Sequence, residues 1–195
     1  MLLGLKARGM NTPKLAVGDG AMGFWAALEE IYSDTRQQRC WMHKTGNVLN
    51  CVPKSVQPKV KTALHDIWQA DTKENAEAAF DQFEELFEAK YPKAVQCLQK
   101  DREELMAFYD FPAQHWQSLR TTNPIESTFS TIRHRTKRAK GCLTRDGMLH
   151  MIFKLGQCAQ KNWRRQRGFS YLAKVITGVR FRDGIEVNSD NQVAA

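Results

Sequence analysis

Apolar positions along this chain repeat with two different periods, and the change from one to the other divides it. LLGLKARG has the pattern of the last turns of a helix closed by Gly9, KLAV is a short apolar strand, and Gly18-Asp19-Gly20 makes a tight turn. From Ala21 to Tyr32, Phe24, Leu28 and Ile31 share one helical face while Glu29 and Glu30 lie outside it. After the Ser33-Asp34 turn, RQQRCWMHK has the length and aromatic content of a second strand. Strand, helix, strand predicts a βαβ unit within residues 1–44.

Beyond it the pattern is helical only. Ser55 can cap a helix with Val60, Leu64, Ile67 and Trp68 inward, and Asp71 can cap another carrying Ala76, Phe80, Phe83 and Phe87. CLQKDREELMAFYDF extends the helical block to Pro112, so residues 45–119 read as an all-α insertion. Residues 120–195 hold two more helices. In the first, RTTNPIESTFSTIRHRTKRAKG, Asn123 is a candidate N-cap, Pro124 the first helical residue and Gly141 the stop. The second, GMLHMIFKLGQCAQKNWRR, points Leu149, Ile152, Phe153 and Leu155 toward a core. The tail after Val187 is expected to fray.

Composition fits an ordinary globular chain, 42% hydrophobic and 26% charged over 195 residues, which excludes disordered and collagen-like classes. No apolar run approaches the ~18 residues of a membrane span, and MLLGLKARGM lacks the features of a signal peptide. Five cysteines with no close pairing suit reduced thiols. A cytoplasmic protein without membrane contact is expected. The net charge of +8 is unevenly spread: Arg120–Arg182 holds 15 basic residues against Glu126 and Asp146, and the remainder of the chain is net negative. That polarity is the footprint of a surface that meets a polyanion.

Several motifs compete for the chemistry. Gly18-Asp-Gly20-Ala-Met-Gly23 matches a dinucleotide-binding turn, but Asp19 would set a carboxylate against the pyrophosphate, and the next strand carries no acid for a ribose. Asp19 fits either a turn or an acid at a strand's C-terminal end, with the flanking glycines leaving room for a ligand. Glu126 fits either a capping box begun by Asn123 or a metal ligand. Two carboxylates on different elements can converge on Mg²⁺, and Arg133, Arg135, Lys137, Arg138 and Lys140 continue from Glu126 without an intervening acid. Such a run repels itself unless a phosphate backbone relieves it. A second basic cluster is Arg164, Arg165 and Arg167. Cys40-x-x-His43 could be half a zinc site, but no second pair completes it. The tryptophans Trp25, Trp41, Trp68, Trp116 and Trp163 suit helix packing, with base stacking by Trp116 as an alternative.

The strings KLAVGDGAMGFWAALEEIY, RQQRCWMHKTGNVLNCVPKS, KYPKAVQCLQKDREELMAFYDFPAQHW, RTTNPIESTFSTIRHRTKRAKG and VRFRDGIEV, in this order, resemble bacterial insertion-sequence transposases of the Mutator superfamily. The resemblance implies an α/β, mostly helical fold: a partial RNase H-like core, made of the βαβ remnant and the Glu-bearing helix, interrupted by an all-α insertion. It implies a DDE triad binding two Mg²⁺ or Mn²⁺ ions for DNA strand cleavage and transfer. Asp19 then corresponds to the second acid and Glu126 to the third; Cys40 and His43 match the family's C-x-x-H signature, and Asn123 the family's NPIES string. The first Asp should lie upstream of the helix ending at Gly9, where no acidic residue occurs. The expectation is therefore a C-terminal part of a transposase, inactive alone, nucleoid-associated and homo-oligomeric in full length. The alternative is a non-catalytic DNA-binding remnant that associates with an intact transposase.

Overall fold

A computed structural model describes residues 1–140 and 144–187. Helix α1 (Leu2–Ala7) leads into strand β1 (Leu15–Gly18), helix α2 (Met22–Ile31) and strand β2 (Arg36–Arg39). β1 and β2 pair in parallel, Leu15 opposite Arg36 and Gly18 opposite Arg39, so the βαβ unit forms. β2 is shorter than its aromatic sequence predicts. Cys40 takes an extended conformation, and the chain turns into helix α3 (Trp41–Leu49). Trp41, Lys44 and Val48, spaced i, i+3, i+7, are its buried positions. The Trp41 indole donates to Leu105 O at 2.9 Å, and Lys44 Nζ donates to Cys97 O at 2.6 Å. These bonds draw Cys-Trp-Met-His-Lys off the sheet and onto the helices.

The core lies in helices α3, α4 (Gln57–Gln69), α5 (Lys73–Phe87), α6 (Pro92–Gln99) and α7 (Arg102–Met106), with the tight turn Ala107–Asp110. The inward residues expected of α4 and α5 are there: Val60, Leu64 and Ile67, then Ala76, Phe80, Phe83 and Phe87 are buried, and Trp68 packs at the margin. The caps differ. α4 begins after Val56 with no side-chain cap, and Thr72, not Asp71, caps α5 by accepting from Asn75 N. The stretch predicted as one helix up to Pro112 is split between Gln99 and Arg102, because Asp101 leaves helical geometry to meet Arg39 and Lys44.

Helix α8 (Trp116–Leu119) leads to α9 (Asn123–Arg138) and α10 (Arg145–Gln160), which pack on each other. The expectation of a core under α10 fails. Leu149 and Phe153 are 54% and 59% exposed, Ile152 is exposed, and Leu155 is half-buried beside His134 and Arg138 of α9. Trp163 is exposed as well. The expected stop at Gly141 and the tail after Val187 lie outside the described residues. After helix α11 (Leu172–Thr177), strands β3 (Phe181–Arg182) and β4 (Ile185–Glu186) form an antiparallel hairpin, which the sequence pattern left unread. Its turn, Asp183-Gly184, has positive φ at both residues, as this hairpin class requires. Gly184 N donates to Tyr109 O, Ala113 N donates to Gly184 O, and Asp183 accepts from Lys73 N at 2.7 Å, pinning the hairpin to the helical block.

Candidate active site

Asp19 stands just beyond β1, at the C-terminal end of the parallel pair, where open α/β sheets present reactive groups. Its Oδ1 accepts from Ala21 N at 3.1 Å, so it also shapes the turn into α2. The flanking glycines do not leave open space. A Cβ on Gly18 would strike the Trp25 ring at 2.7 Å, and one on Gly20, at φ +90°, would strike the Arg39 guanidinium. The turn is packed against protein, which removes the room that a dinucleotide or another ligand would need at those glycines.

Glu126 lies in the first turn of α9, where the helix dipole favours a carboxylate. Asn123 is the first helical residue, not the cap; Thr122 precedes it and makes no capping bond to the backbone. Instead, the Thr122 hydroxyl donates to Glu126 Oε1 at 2.5 Å, and the Asn123 N–H donates to Thr121 Oγ1. Threonines 121 and 122, which the sequence pattern did not single out, therefore hold the head of this helix. Their signal was the Thr-Thr pair directly before Asn-Pro.

Cys40 and His43 connect this helix head to the sheet. Cys40 N donates to Gly18 O at 2.8 Å, and Trp41 N to Arg120 O at 2.9 Å. Thr122 N–H donates to Cys40 Sγ at 3.4 Å, with the Thr122 hydroxyl 3.5 Å from the same sulfur. His43 Nδ1 lies 3.2 Å from Cys40 Sγ, and His43 Nε2 lies 3.5 Å from Glu126 Oε1. Burial pushes the Cys40 thiol up, yet the hydrogen bonds from Thr122 and His43 outweigh it and bring it down to about 7. The hydrogen bond with Cys40 raises His43 above its ordinary value; burial opposes this, and the charges of Cys40, Glu126 and Asp19 add to it. One imidazole thus senses both candidate carboxylates. Cys40 is a fully buried link between elements rather than an open metal ligand.

Two hard carboxylates match the donor chemistry of Mg²⁺ or Mn²⁺. Among the described residues, however, no three His, Cys, Asp or Glu side chains converge as a metal site. The described residues fit part of such a site and do not close one. The zinc alternative gains nothing either: His115 is buried with Nε2 2.9 Å from Gly168 O, and His65 pairs with Gln69.

Arg133, Arg135, Lys137, Arg138 and Lys140 are exposed along α9 and just past it, and none takes part in an ion pair among the described residues. Arg164 and Arg165 are exposed beyond α10, with the Arg165 guanidinium 4.8 Å from the centre of the Phe169 ring. Arg120, first of the basic stretch, is not a surface cation. It sits 4.4 Å from the Phe108 ring centre and 5.2 Å from that of Trp116, and burial holds its pKa below the ordinary value. Trp116 belongs to this cage and donates to Phe111 O at 2.8 Å, so it does not present a face to a base.

A packed Gly-Asp-Gly turn, a carboxylate-headed basic helix and a Cys-x-x-His bridge between them make up the candidate site. The chain belongs to the Mutator family of transposases, whose description matches residues 1–166. It is 54% identical to the transposase for insertion sequence element IST2 of Acidithiobacillus ferrooxidans, across all of this chain and 68% of that protein. It is 46% identical to the transposase for IS6120 of Mycolicibacterium smegmatis, over 94% of this chain and 57% of that protein. The transposase for IS1081 of Mycobacterium tuberculosis is 32% identical over 68% of this chain and 32% of its own length. No helix among the described residues is long and apolar enough to cross a membrane.

Proposed function

We propose that this chain supplies Asp19, Glu126 and the DNA-binding helix of a DDE transposase acting on insertion-sequence ends, with the β1–α2–β2 unit and α9 as parts of an RNase H-like core. Residues 45–119 then form an all-α insertion between the part of the core in residues 1–44 and the part in 120–195. The observation that carries this reading is the bridge from Gly18 through Cys40 to Thr122 and Glu126, which ties the Glu-bearing helix to the strand end carrying Asp19.

In this reading Asp19 and Glu126 hold Mg²⁺ or Mn²⁺, which would supply charge stabilisation at the phosphodiester. Thr122 and His43 both contact Oε1 of Glu126 and fix that carboxylate, while α9's cations bind the backbone of DNA. Two carboxylates are too few to close the metal site, so the 195-residue chain by itself does not cleave. A magnesium- or manganese-dependent nicking assay on a transposon-end duplex tests this, and robust cleavage by the purified chain overturns it. Full activity, homo-oligomeric assembly and nucleoid association are proposed for a transposase that has all three carboxylates.

The absence of three converging donors among the described residues favours a second reading, a DNA-binding module that joins an intact transposase without doing chemistry. Glu126→Gln separates the two. Under the second reading DNA binding is unchanged and the intact partner's cleavage is indifferent to the substitution.

A further inference from the structure

Glu126, Phe129, Ser130 and Arg133 occupy positions i, i+3, i+4 and i+7 of α9 and, with Asn123, form one open face of that helix. Phe129 is 57% exposed on it. A phenyl ring set between a carboxylate and a guanidinium suits few ligands. An apolar protein segment would have to bury Glu126 and Arg133 along with the ring, taking both charges out of water. An intact duplex would leave the ring unused, because its base faces are already stacked. A strand with one base out of the stack meets every group: the ring takes the base face, and Arg133 and Ser130 take the phosphate.

The spacing agrees. Arg133 lies four residues beyond Phe129, about 6 Å along the helix axis, so its long side chain reaches a phosphate next to a base stacked on that ring. Lys137, eleven residues on from Glu126, continues the line with a further cation, so the charge complements a strand leaving this face.

We infer that this face of α9 binds an unstacked nucleotide beside the bond facing Glu126, with Phe129 stacking on its base and Arg133 holding a neighbouring phosphate. The inference rests on the proposed role of α9 and adds a ligand class, a single-stranded or extruded deoxynucleotide. It makes Phe129 a residue that selects frayed or open ends over paired DNA.

The test uses the purified 195-residue chain and a hairpin duplex with a short single-stranded overhang, carrying 2-aminopurine at one position at a time. Binding quenches the fluorescence at one or two positions only. Phe129→Trp keeps the quench. Phe129→Leu preserves apolar bulk without a ring, abolishes the quench and weakens binding about tenfold. Arg133→Gln weakens binding but leaves the quench intact at saturation. Because Phe129 is exposed, these variants should retain wild-type circular dichroism. A quench that survives in Phe129→Leu overturns the stacking site, as does salt-dependent binding with no position-restricted quench. In those outcomes the DNA-binding reading of α9 stands; failure of the wild-type chain to bind DNA at all sinks both.

Discussion

Asp101 shows how much of the site's framework hangs on one side chain. Arg39, at the end of β2, and Lys44, on α3, are 7% and 2% exposed, and both close on Asp101 Oδ2, at 2.9 and 2.5 Å. Arg39 also lies against Gly20, and Lys44 sits one residue after His43, so this cluster supports both ends of the candidate site. Asp101→Asn leaves two buried cations without a counter-charge and should cost about 3–5 kcal/mol, read by urea denaturation; a loss below about 1 kcal/mol would show that the cations find other partners. Burial raises the Asp101 pKa, but the hydrogen bonds and charges of Lys44 and Arg39 outweigh it and hold the carboxyl below 3.8. A folded pKa below the unfolded one stabilises the fold fully above pH 3.8 and progressively less as pH falls through the folded value. Wild-type stability should therefore drop steeply below pH 4, and Asp101→Asn should flatten that limb. None of this is visible in sequence, where Asp101 is one residue within the helical string CLQKDREELMAFYDF.

Among elements, helix faces were legible and helix ends were not. The apolar spacing of α4 and α5 depends only on 3.6-residue periodicity, so Val60, Leu64, Phe80 and Phe83 were readable. A cap depends on the backbone angles of one residue, and neighbouring Asp71 and Thr72 are both candidates by type, Asp the better of the two. Thr72 is extended, at φ −130° and ψ 157°, and takes the bond from Asn75 N. Thr72→Ala should cost about 1 kcal/mol in thermal or denaturant unfolding, and Asp71→Ala only a few tenths; the reverse order would return the cap to Asp71. β2 was overread for a related reason: aromatic residues in CWMH favour a strand locally, but Trp41 and Lys44 bury more against α6 and α7 as a helix. At the head of α9 the residue types were right and the geometry was not, because a capping box and a carboxylate held from the side look alike in NPIE. The structure's version predicts that Thr122→Val, which removes the hydroxyl donor, speeds amide hydrogen exchange at Ile125 and Glu126 about five- to tenfold, while Thr122→Ser does not. Equal exchange in Thr122→Val and wild type would make that hydrogen bond incidental.

For the whole molecule, the uneven charge was readable from a count, but what each cation does was not. Arg120 counts toward the basic stretch and yet stabilises an aromatic cage, and Arg165 lies over Phe169. Four cations on α9 remain in the open, without ion pairs among the described residues: Arg133, Arg135, Lys137 and Arg138. If these carry DNA binding, replacing all four with Gln should reduce the slope of log affinity against log salt by about 3.6, since each phosphate contact contributes about 0.9. Arg164→Gln with Arg165→Gln should change it by less than about 1, because one of the two is already held by a ring. Lys59→Gln with Lys61→Gln, on α4 in the net-negative part of the chain, should leave it unaltered. Fluorescence anisotropy with a labelled duplex across a salt series measures all three. Because the α9 cations are exposed and unpaired, the quadruple variant should unfold at the wild-type temperature or slightly above it, as mutual repulsion is relieved. An unchanged salt slope in that variant would mean that the DNA lies along some other face of the molecule.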